Sequence, residues 1–381
     1  MRKVMKKVCI VHETGSGRLA GHYTEFAFTG LPGVEIAALS DPNPEAAAYF
    51  KRTGAQRLYT SYQEMLEQEK PDITVLCSRL VDDHYRQIKC ALEAGSHVLC
   101  EKPLAADLIQ ADELIALAQS RNLKVQIAHL ARFAPTFREM KRLIAQGAIG
   151  RVLSCYLRGK EDHRGGGEDM IVLGTHVLDA ACWLFGMPEE VMADVRFENR
   201  RITSKDLLPT TEPVGPCAGD DIMAFFRFAN GVNGIFESRR NVTVKGEPRL
   251  GISVCGTEGT LAIRYTGNRD LRMAKDFPAP PEDSAHFEVV PLPRESEIPG
   301  AQPINLKEWG IPEGNGTLKY FAENNRRAAW NLLQAIEGKE ELVAGMVSAR
   351  DAIEMICGIY RSGIEGRALS FPLSEKRHPL L

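Results

Sequence analysis

The chain has 381 residues, 44% of them hydrophobic and 25% charged, with a formal net charge of −3. Its length asks for two domains and its composition for an ordinary globular interior. The balance of charge argues against a nucleic-acid partner, which would draw a basic excess. The apolar run after Lys7 ends at Val11, too short for a secretory core, and no later run reaches membrane-spanning length. Nine cysteines are scattered without CxxC or HExxH spacing, so neither a metal nor a dithiol site is expected. Cys9, Cys77 and Cys100 sit in strand-like apolar runs, as small buried hydrophobes do, and a reducing cytoplasmic compartment fits that usage.

Residues 8–12 (VCIVH) read as a short buried strand, followed by ETGSGRLAGH and an amphipathic, helix-like stretch through Phe28. A second strand, 34–40, ends at Asp41, and a helix containing Ala46, Ala47 and Phe50 comes next. Strands at 72–77 and 97–100 flank a helix at 83–94; a helix at 107–121 and a strand at 123–128 complete the series. Strands alternating with helices of this length predict a doubly wound parallel sheet, an N-terminal Rossmann domain over residues 1–126.

The turn after the first strand carries Gly15, Gly17 and Ala20 at GxGxxA spacing. The first glycine suits a tight turn, the second lets backbone approach a pyrophosphate, and the small third residue lets a helix pack on the strand. Asp41 lies 20 residues past Gly21, where a carboxylate at the end of the second strand accepts ribose hydroxyls. The alternative for Asp41 is a turn or N-cap residue ahead of Pro42. No arginine follows it directly to neutralise a 2′-phosphate, which favours NAD over NADP.

Beyond residue 126 the rhythm changes. A helix at 135–146 precedes strands at 150–159, 190–199, 221–229, 232–241, 249–255 and 259–265, with hairpin turns at Asn230-Gly231 and Thr257-Glu258-Gly259. Residues 127–381 are therefore expected to form an α+β domain with a large, mostly antiparallel open sheet, which makes the whole chain α/β. Residues 268–315 read as a long proline-rich excursion. Helices at 319–337 and 346–362 either close this second domain or pack back on the first.

Glu101-Lys102-Pro103 follows the strand 97–100 at the end of the sheet where ligands bind. A lysine held there can hydrogen-bond a substrate hydroxyl and favour its alkoxide; in isolation it would be a solvated turn residue. His176, on a helix beginning near Asp169, suits alcohol oxidation because an imidazole can take a proton and return it near neutral pH. A buried helix histidine tied to a carbonyl is the alternative. Asp179, three residues on, either orients that imidazole, binds an arginine or caps a neighbouring element. Arg164, beside the triple glycine 165–167, either binds a substrate carboxylate or is a solvated loop residue.

The glycine loop with His22 behind it, ALEAG…HVLCEKPLA, ARFAPTFREMKRLIAQGAIGRV, GTHVLDAACWLFG, GTEGTL and YRSGIEGRALSFPL together resemble the Gfo/Idh/MocA oxidoreductases over nearly the whole chain. The resemblance implies a catalytic role for Lys102 and for His176, a cis peptide before Pro103, and a nicotinamide cofactor beside Glu101, Lys102 and Ser78. At Ser78 the family has Thr-Pro, and the proline is missing here. Arg132 and His129 are implied to face substrate or cofactor, whereas His22 more simply packs near the loop.

The family also carries an aspartate four residues before the histidine, a position held here by Val172. Asp169 is the nearest acid, roughly 10 Å away along an ideal helix. It either contacts another hydroxyl of a longer substrate or, with Glu168, favours the helix N-terminus. The expected activity is that of an NAD(P)-dependent dehydrogenase acting on a sugar or cyclitol hydroxyl. The rivals are redox-assisted glycoside cleavage without net redox, and a non-catalytic cofactor-binding sensor. The family also implies a homodimer or homotetramer through the C-terminal sheet.

Overall fold

The computed structural model describes residues 5–13, 22–43, 47–243, 249–265, 269–275 and 287–381. Packing divides the chain into two units. The first comprises Met1–Ala106, Gln110–Phe133 and Glu295–Ala349; the second comprises Asp107–Ile109, Ala134–Arg294 and Arg350–Leu381.

The first unit holds strands β1 (Lys6–Val11), β2 (Val34–Ser40), β3 (Arg57–Tyr59), β4 (Ile73–Leu76), β5 (His97–Cys100) and β6 (Val125–Ile127). All pair in parallel, in the order β3-β2-β1-β4-β5-β6. This is the strand order of a dinucleotide-binding Rossmann sheet. The helices between strands are α1 (Ala47–Thr53), α2 (Tyr62–Glu69), α3 (Val81–Glu93) and α4 (Leu108–Ser120). Every residue of β4 is buried, as a parallel strand covered on both faces requires.

The excursion returns to this unit and ends in α8 (Gly316–Ile336), so numbered because α5–α7, described below, precede it in the chain. Asn315 caps that helix by accepting from the Leu318 N–H at 3.0 Å. Its Ala328, Ala329, Leu332 and Leu333 join one apolar cluster with Val8, Ile10, Leu39, Val75 and Leu99. The Gln126 amide secures the contact, donating to Asn331 Oδ1 at 2.7 Å and accepting from Ala344 N at 3.2 Å.

The expected helix through Phe28 is not found in the described part of that segment. Tyr23 adopts a left-handed conformation, φ 63°, which interrupts α-helical geometry, and only a short 3₁₀ turn, Thr24–Phe26, follows. The loop glycines Gly15 and Gly17, with Ala20, lie outside the described residues.

The second unit is built on a sheet with the order β15-β14-β13-β12-β7-β11-β10-β8-β16, with β9 paired to β8. Its main strands are β7 (Val152–Arg158), β8 (Pro188–Phe197), β10 (Asp221–Phe228), β11 (Asn233–Arg239), β12 (Gly251–Gly256) and β13 (Gly259–Arg264). The short ones are β9 (Arg200–Arg201), β14 (Leu271–Lys275), β15 (Glu288–Val289) and β16 (Leu369–Ser370). The pair β11–β7 is parallel and the other pairs are antiparallel. Both expected hairpins form. Gly231 takes φ 80° at the first, and β12 and β13 meet across Thr257-Glu258 at the second.

Strands β14 and β15 fall within the stretch expected to be an excursion. Leu271 and Ala274 are buried there while Arg272 is exposed; three apart, the two buried residues do not show the period-two alternation that marks a strand in sequence. One face of the sheet carries Val191, Val195, Ile222, Phe226, Phe236 and Leu157, all fully buried. On the other, register aligns Met192, Phe225, Ile235, Tyr156, Ser253 and Ala262 in one row across six strands.

Three further helices belong here in chain order: α5 (Pro135–Ala145), the single turn α6 (Gly167–Asp169) and α7 (Thr175–Phe185). Between α6 and α7, Met170–Gly174 form a π-helical turn. The last long helix is α9 (Met346–Glu365). Among the described residues no helix is long and apolar enough to cross a membrane.

Candidate active site

In the first unit, Glu101 and Lys102 leave the C-terminal end of β5, and the Lys102–Pro103 peptide is cis. Lys102 is only 6% exposed. Glu101 is more deeply buried, yet its carboxylate is well supplied with donors. Thr24 Oγ1 donates to Oε1 at 2.6 Å, His22 N to the same oxygen at 3.3 Å, and Lys102 N to Oε2 at 3.3 Å. Burial alone would raise Glu101, but His22, the Lys102 charge and Thr24 outweigh it and hold the carboxyl well below its usual range. A fixed negative charge therefore adjoins the lysine. His22 itself is lowered by burial and stacks against Phe321 of α8 with ring centroids 4.4 Å apart.

Asp41 follows β2 as expected. Its Oδ2 lies 2.7 Å from His12 Nδ1, and its Oδ1 accepts from Asn43 N at 2.9 Å. The turn reading of Asp41 holds locally, because the second contact is an Asx-type turn. His12, the fully buried residue that ends the first strand, was missed as a partner. Its only sequence signal was a polar residue closing an apolar run.

Ser78 is committed to the start of α3. Its hydroxyl donates to Asp83 Oδ2 at 2.8 Å and accepts from Leu80 N at 3.1 Å. Arg132 Nη1 donates to the Val343 carbonyl at 3.0 Å, which gives it an anchoring task within its own unit. His129 is fully buried nearby, its N–H bonded to the Ile127 carbonyl.

In the second unit the segment GGGED is explained by crowding. A Cβ on Gly165 would stand 2.0 Å from the Arg239 carbonyl oxygen, one on Gly166 2.3 Å from that of Gly219, and one on Gly167 2.3 Å from that of Ala218. The acids beside them are spent on neighbouring loops. Asp169, fully buried, accepts from Lys160 N at 3.1 Å, Glu161 N at 3.0 Å and Ser238 Oγ at 2.6 Å. Burial raises its pKa in spite of these bonds. Glu168 accepts from Thr211 N and Glu212 N, both at 2.9 Å.

Arg164 is paired with Asp162 at 2.9 Å and with Glu212, so the guanidinium read as either a substrate-carboxylate ligand or a solvated loop residue holds two protein carboxylates. Asp169 and His176, seven apart, would lie near one face of an uninterrupted α-helix, but they do not here. The intervening π turn bonds i to i+5, turning less per residue, so a spacing of seven no longer returns to the same face. The residues four and five before His176, Val172 and Ile171, are both buried and apolar.

His176 sits in the first turn of α7, half-buried, with its ring centroid 6.2 Å from that of Tyr265; Tyr265 in turn lies 5.0 Å from Phe137. Asp179 is fully buried one turn further along. Tyr265 carried no signal in the sequence, because it ends a strand and meets the helix only through the fold.

Glu161 offers a direct electrostatic test. Burial, opposed by Arg249 and reinforced by Glu237, pushes it from 4.5 up to about 7. A folded-state pKa raised above the unfolded one favours folding below about pH 4.5, an advantage lost as pH climbs through about 7. Glu161→Gln should therefore melt increasingly higher than the parent, by a few degrees, as pH rises from about 5 to about 8. A melting difference that stays constant over that range would refute the assignment.

Among the described residues no cluster of His, Cys, Asp and Glu could hold a metal ion. A six-stranded parallel sheet in this order, an acid closing β2 and a buried Glu-Lys pair closing β5 define a dinucleotide-dependent oxidoreductase. Residues 7–129 match the family described as "Oxidoreductase family, NAD-binding Rossmann fold", and residues 137–262 match the Gfo/Idh/MocA C-terminal domain. The chain belongs to the Gfo/Idh/MocA family.

It is 29% identical over 301 residues to a levoglucosan dehydrogenase of Pseudarthrobacter phenanthrenivorans, covering 72% of this chain and 74% of that one. It is 28% identical over 333 residues to a 1,5-anhydro-D-fructose reductase of Ensifer adhaerens, covering 81% and 95%. A levoglucosan dehydrogenase structure, in complex with NADH and levoglucosan, superposes with a TM-score of 0.74 at 21% identity, covering 97% of this chain and all of that one.

Proposed function

We propose that this protein is an NAD-dependent dehydrogenase that oxidises a secondary alcohol of a sugar or cyclitol. The observation that carries the reading is the buried Lys102 at the end of β5, set against the fixed carboxylate of Glu101. The relatives named as acting on anhydrosugars support the substrate class. The residues present fit NAD: Asp41 closes β2 with its carboxylate oriented by His12 and Asn43, and Pro42 and Asn43 after it carry no positive charge for a 2′-phosphate.

NAD, when bound, supplies the hydride acceptor. Lys102 would hydrogen-bond the alcohol oxygen, and the hydroxyl proton would pass to a base as the carbon gives up its hydride, leaving a carbonyl product; the family resemblance gives the role of that base to His176. Val172 leaves this histidine without a carboxylate one turn before it. Arg164, Asp169 and Glu168 hold the architecture beneath the helix in this reading. Asp179, one turn after His176, is proposed to set the helix face that carries the imidazole.

The test is NADH formation by purified protein with excess NAD and a panel of sugars, sugar acids, inositols and glycosides, with product analysis on each. Steady NADH growth matched by oxidised product is expected. Cleaved glycoside without NADH accumulation would replace this reading by redox-assisted cleavage.

The row Met192, Phe225, Ile235 and Tyr156 suits self-association, and Met192 and Phe225 are 42% and 37% exposed. We place a homodimer or homotetramer on this face. Phe225→Glu should shift the sedimenting species toward the monomer at micromolar concentration; an unchanged oligomer would remove the face from consideration. A cytoplasmic location is supported by nine cysteines scattered through the chain without the paired spacing of a disulfide framework.

A further inference from the structure

His84 stands in the opening turn of α3, fully buried. Both of its ring nitrogens face backbone carbonyl oxygens: Nδ1 lies 2.5 Å from the Pro103 oxygen and Nε2 2.7 Å from the Ser78 oxygen. A carbonyl oxygen only accepts. A neutral imidazole has one N–H and one lone pair, so it can satisfy one of these carbonyls and must set a lone pair against the other. Both contacts are attractive only when both nitrogens carry hydrogen.

The two carbonyls belong to the loops that leave β4 and β5, which are neighbouring parallel strands. Ser78 is fixed further by Asp83, whose other carboxylate oxygen accepts from Arg86 at 2.9 Å. Pro103 directly follows Lys102, and on the other side of Lys102 the Glu101 side chain is held by Thr24 and the backbone of His22. Lys102 therefore stands between two anchored neighbours, Glu101 on one side and Pro103, whose carbonyl faces His84, on the other. A positive ring this close to a helix N-terminus opposes the helix dipole, and Asp82 and Asp83 of the same turn offset it. The other ionisable groups on the segments it touches are Cys77, Arg79 and Arg86 on the β4 side and Cys100, Glu101 and Lys102 on the β5 side.

We propose that His84, protonated on both ring nitrogens, is a positioning residue that locks the segment carrying Lys102 to the loop after β4. The positioning role rests on the dehydrogenase reading; the protonation state does not.

The first arm of the test is nitrogen NMR of histidine-labelled protein at about pH 7.5, where an unperturbed imidazole with a pKa near 6.5 is mostly neutral. The His84 signals are assigned by their loss in His84→Gln. Two N–H nitrogens are expected, and one bare nitrogen overturns the proposal without reference to any substrate. The second arm compares His84→Gln, which keeps a single donating group, with His84→Leu, which keeps none. On a substrate established for the parent, kcat should fall at least about tenfold, more for leucine, because small misplacements of a reacting group are costly. NADH affinity should hold within about twofold. Variants with lower melting temperatures but parental kcat would reduce His84 to a structural residue and overturn the positioning role. Absence of turnover in the parent on every substrate would instead count against the dehydrogenase reading and leave the NMR arm decisive for the ring.

Discussion

Lys102→Ala is expected to lower kcat/KM by roughly 10²–10⁴-fold, the range that removal of a positioned proton-handling group produces. NADH binding, followed by nicotinamide fluorescence, should change by no more than about threefold if the lysine acts on the alcohol rather than on the cofactor. Lys102 is 6% exposed, and its charge helps hold the neighbouring Glu101 carboxyl low. Lys102→Arg should not restore the rate. A guanidinium keeps the charge but is planar, larger and permanently protonated. Parental turnover in either variant would exclude Lys102 from the chemistry. His176→Ala should show a comparable loss.

Gly166→Ala should be the most damaging small substitution in the second unit. The residue adopts φ 95° and ψ −135°, a region that side-chain-bearing residues avoid. The added methyl would also stand 2.3 Å from the Gly219 carbonyl oxygen and 2.7 Å from Asp220 Cα, both backbone atoms with little room to yield. Strain and overpacking together are expected to cost roughly 2–6 kcal/mol, a large part of the ~5–15 kcal/mol by which domains are stable. Gly147→Ala is the control. Its φ is 72° but nothing lies within 4 Å of the added carbon, so only the left-handed backbone cost of about 1–2 kcal/mol remains. Equal losses in urea unfolding of the two variants would mean that the close approach at Gly166 does not matter.

What could be read from the residues follows the range over which their physics acts. The parallel sheet was legible because buried strands and helices alternate at regular spacing, and both hairpins because their turn residues announce them. Strand β3 was not: it has three residues, two of them exposed, and no pattern to detect. Lys102 and His176 drew their candidate roles from the resemblance of whole motifs, while the environment of each came only from the fold. Asp169 read as a substrate ligand or, with Glu168, as a dipole partner. Three residues they bond, Thr211, Glu212 and Ser238, lie 43 to 69 positions away in sequence, and only Lys160 and Glu161 are near, 9 and 8 positions back from Asp169. Arg164 was left between a substrate ligand and a solvated residue for the same reason. Its ion pair with Glu212 is a tertiary fact, and a charged side chain in a glycine-rich loop does not disclose it. The paired carbonyls around His84 belong to two different loops, so no local spacing encodes them.

The π turn at Met170–Gly174 stores one more residue than the path from Gly167 to Phe185 needs. A chain of this shape can lose a single amino acid there and close up into an uninterrupted α-helix, leaving both flanking segments in place along the axis. Phase is kept as well: the wide turn absorbs its extra residue, so such a deletion would leave His176 facing as it does relative to the anchored GGGED end. Chain length at this point can thus vary by one residue without turning the imidazole, whereas the same deletion in the regular part of α7 would swing everything after it by about 100°.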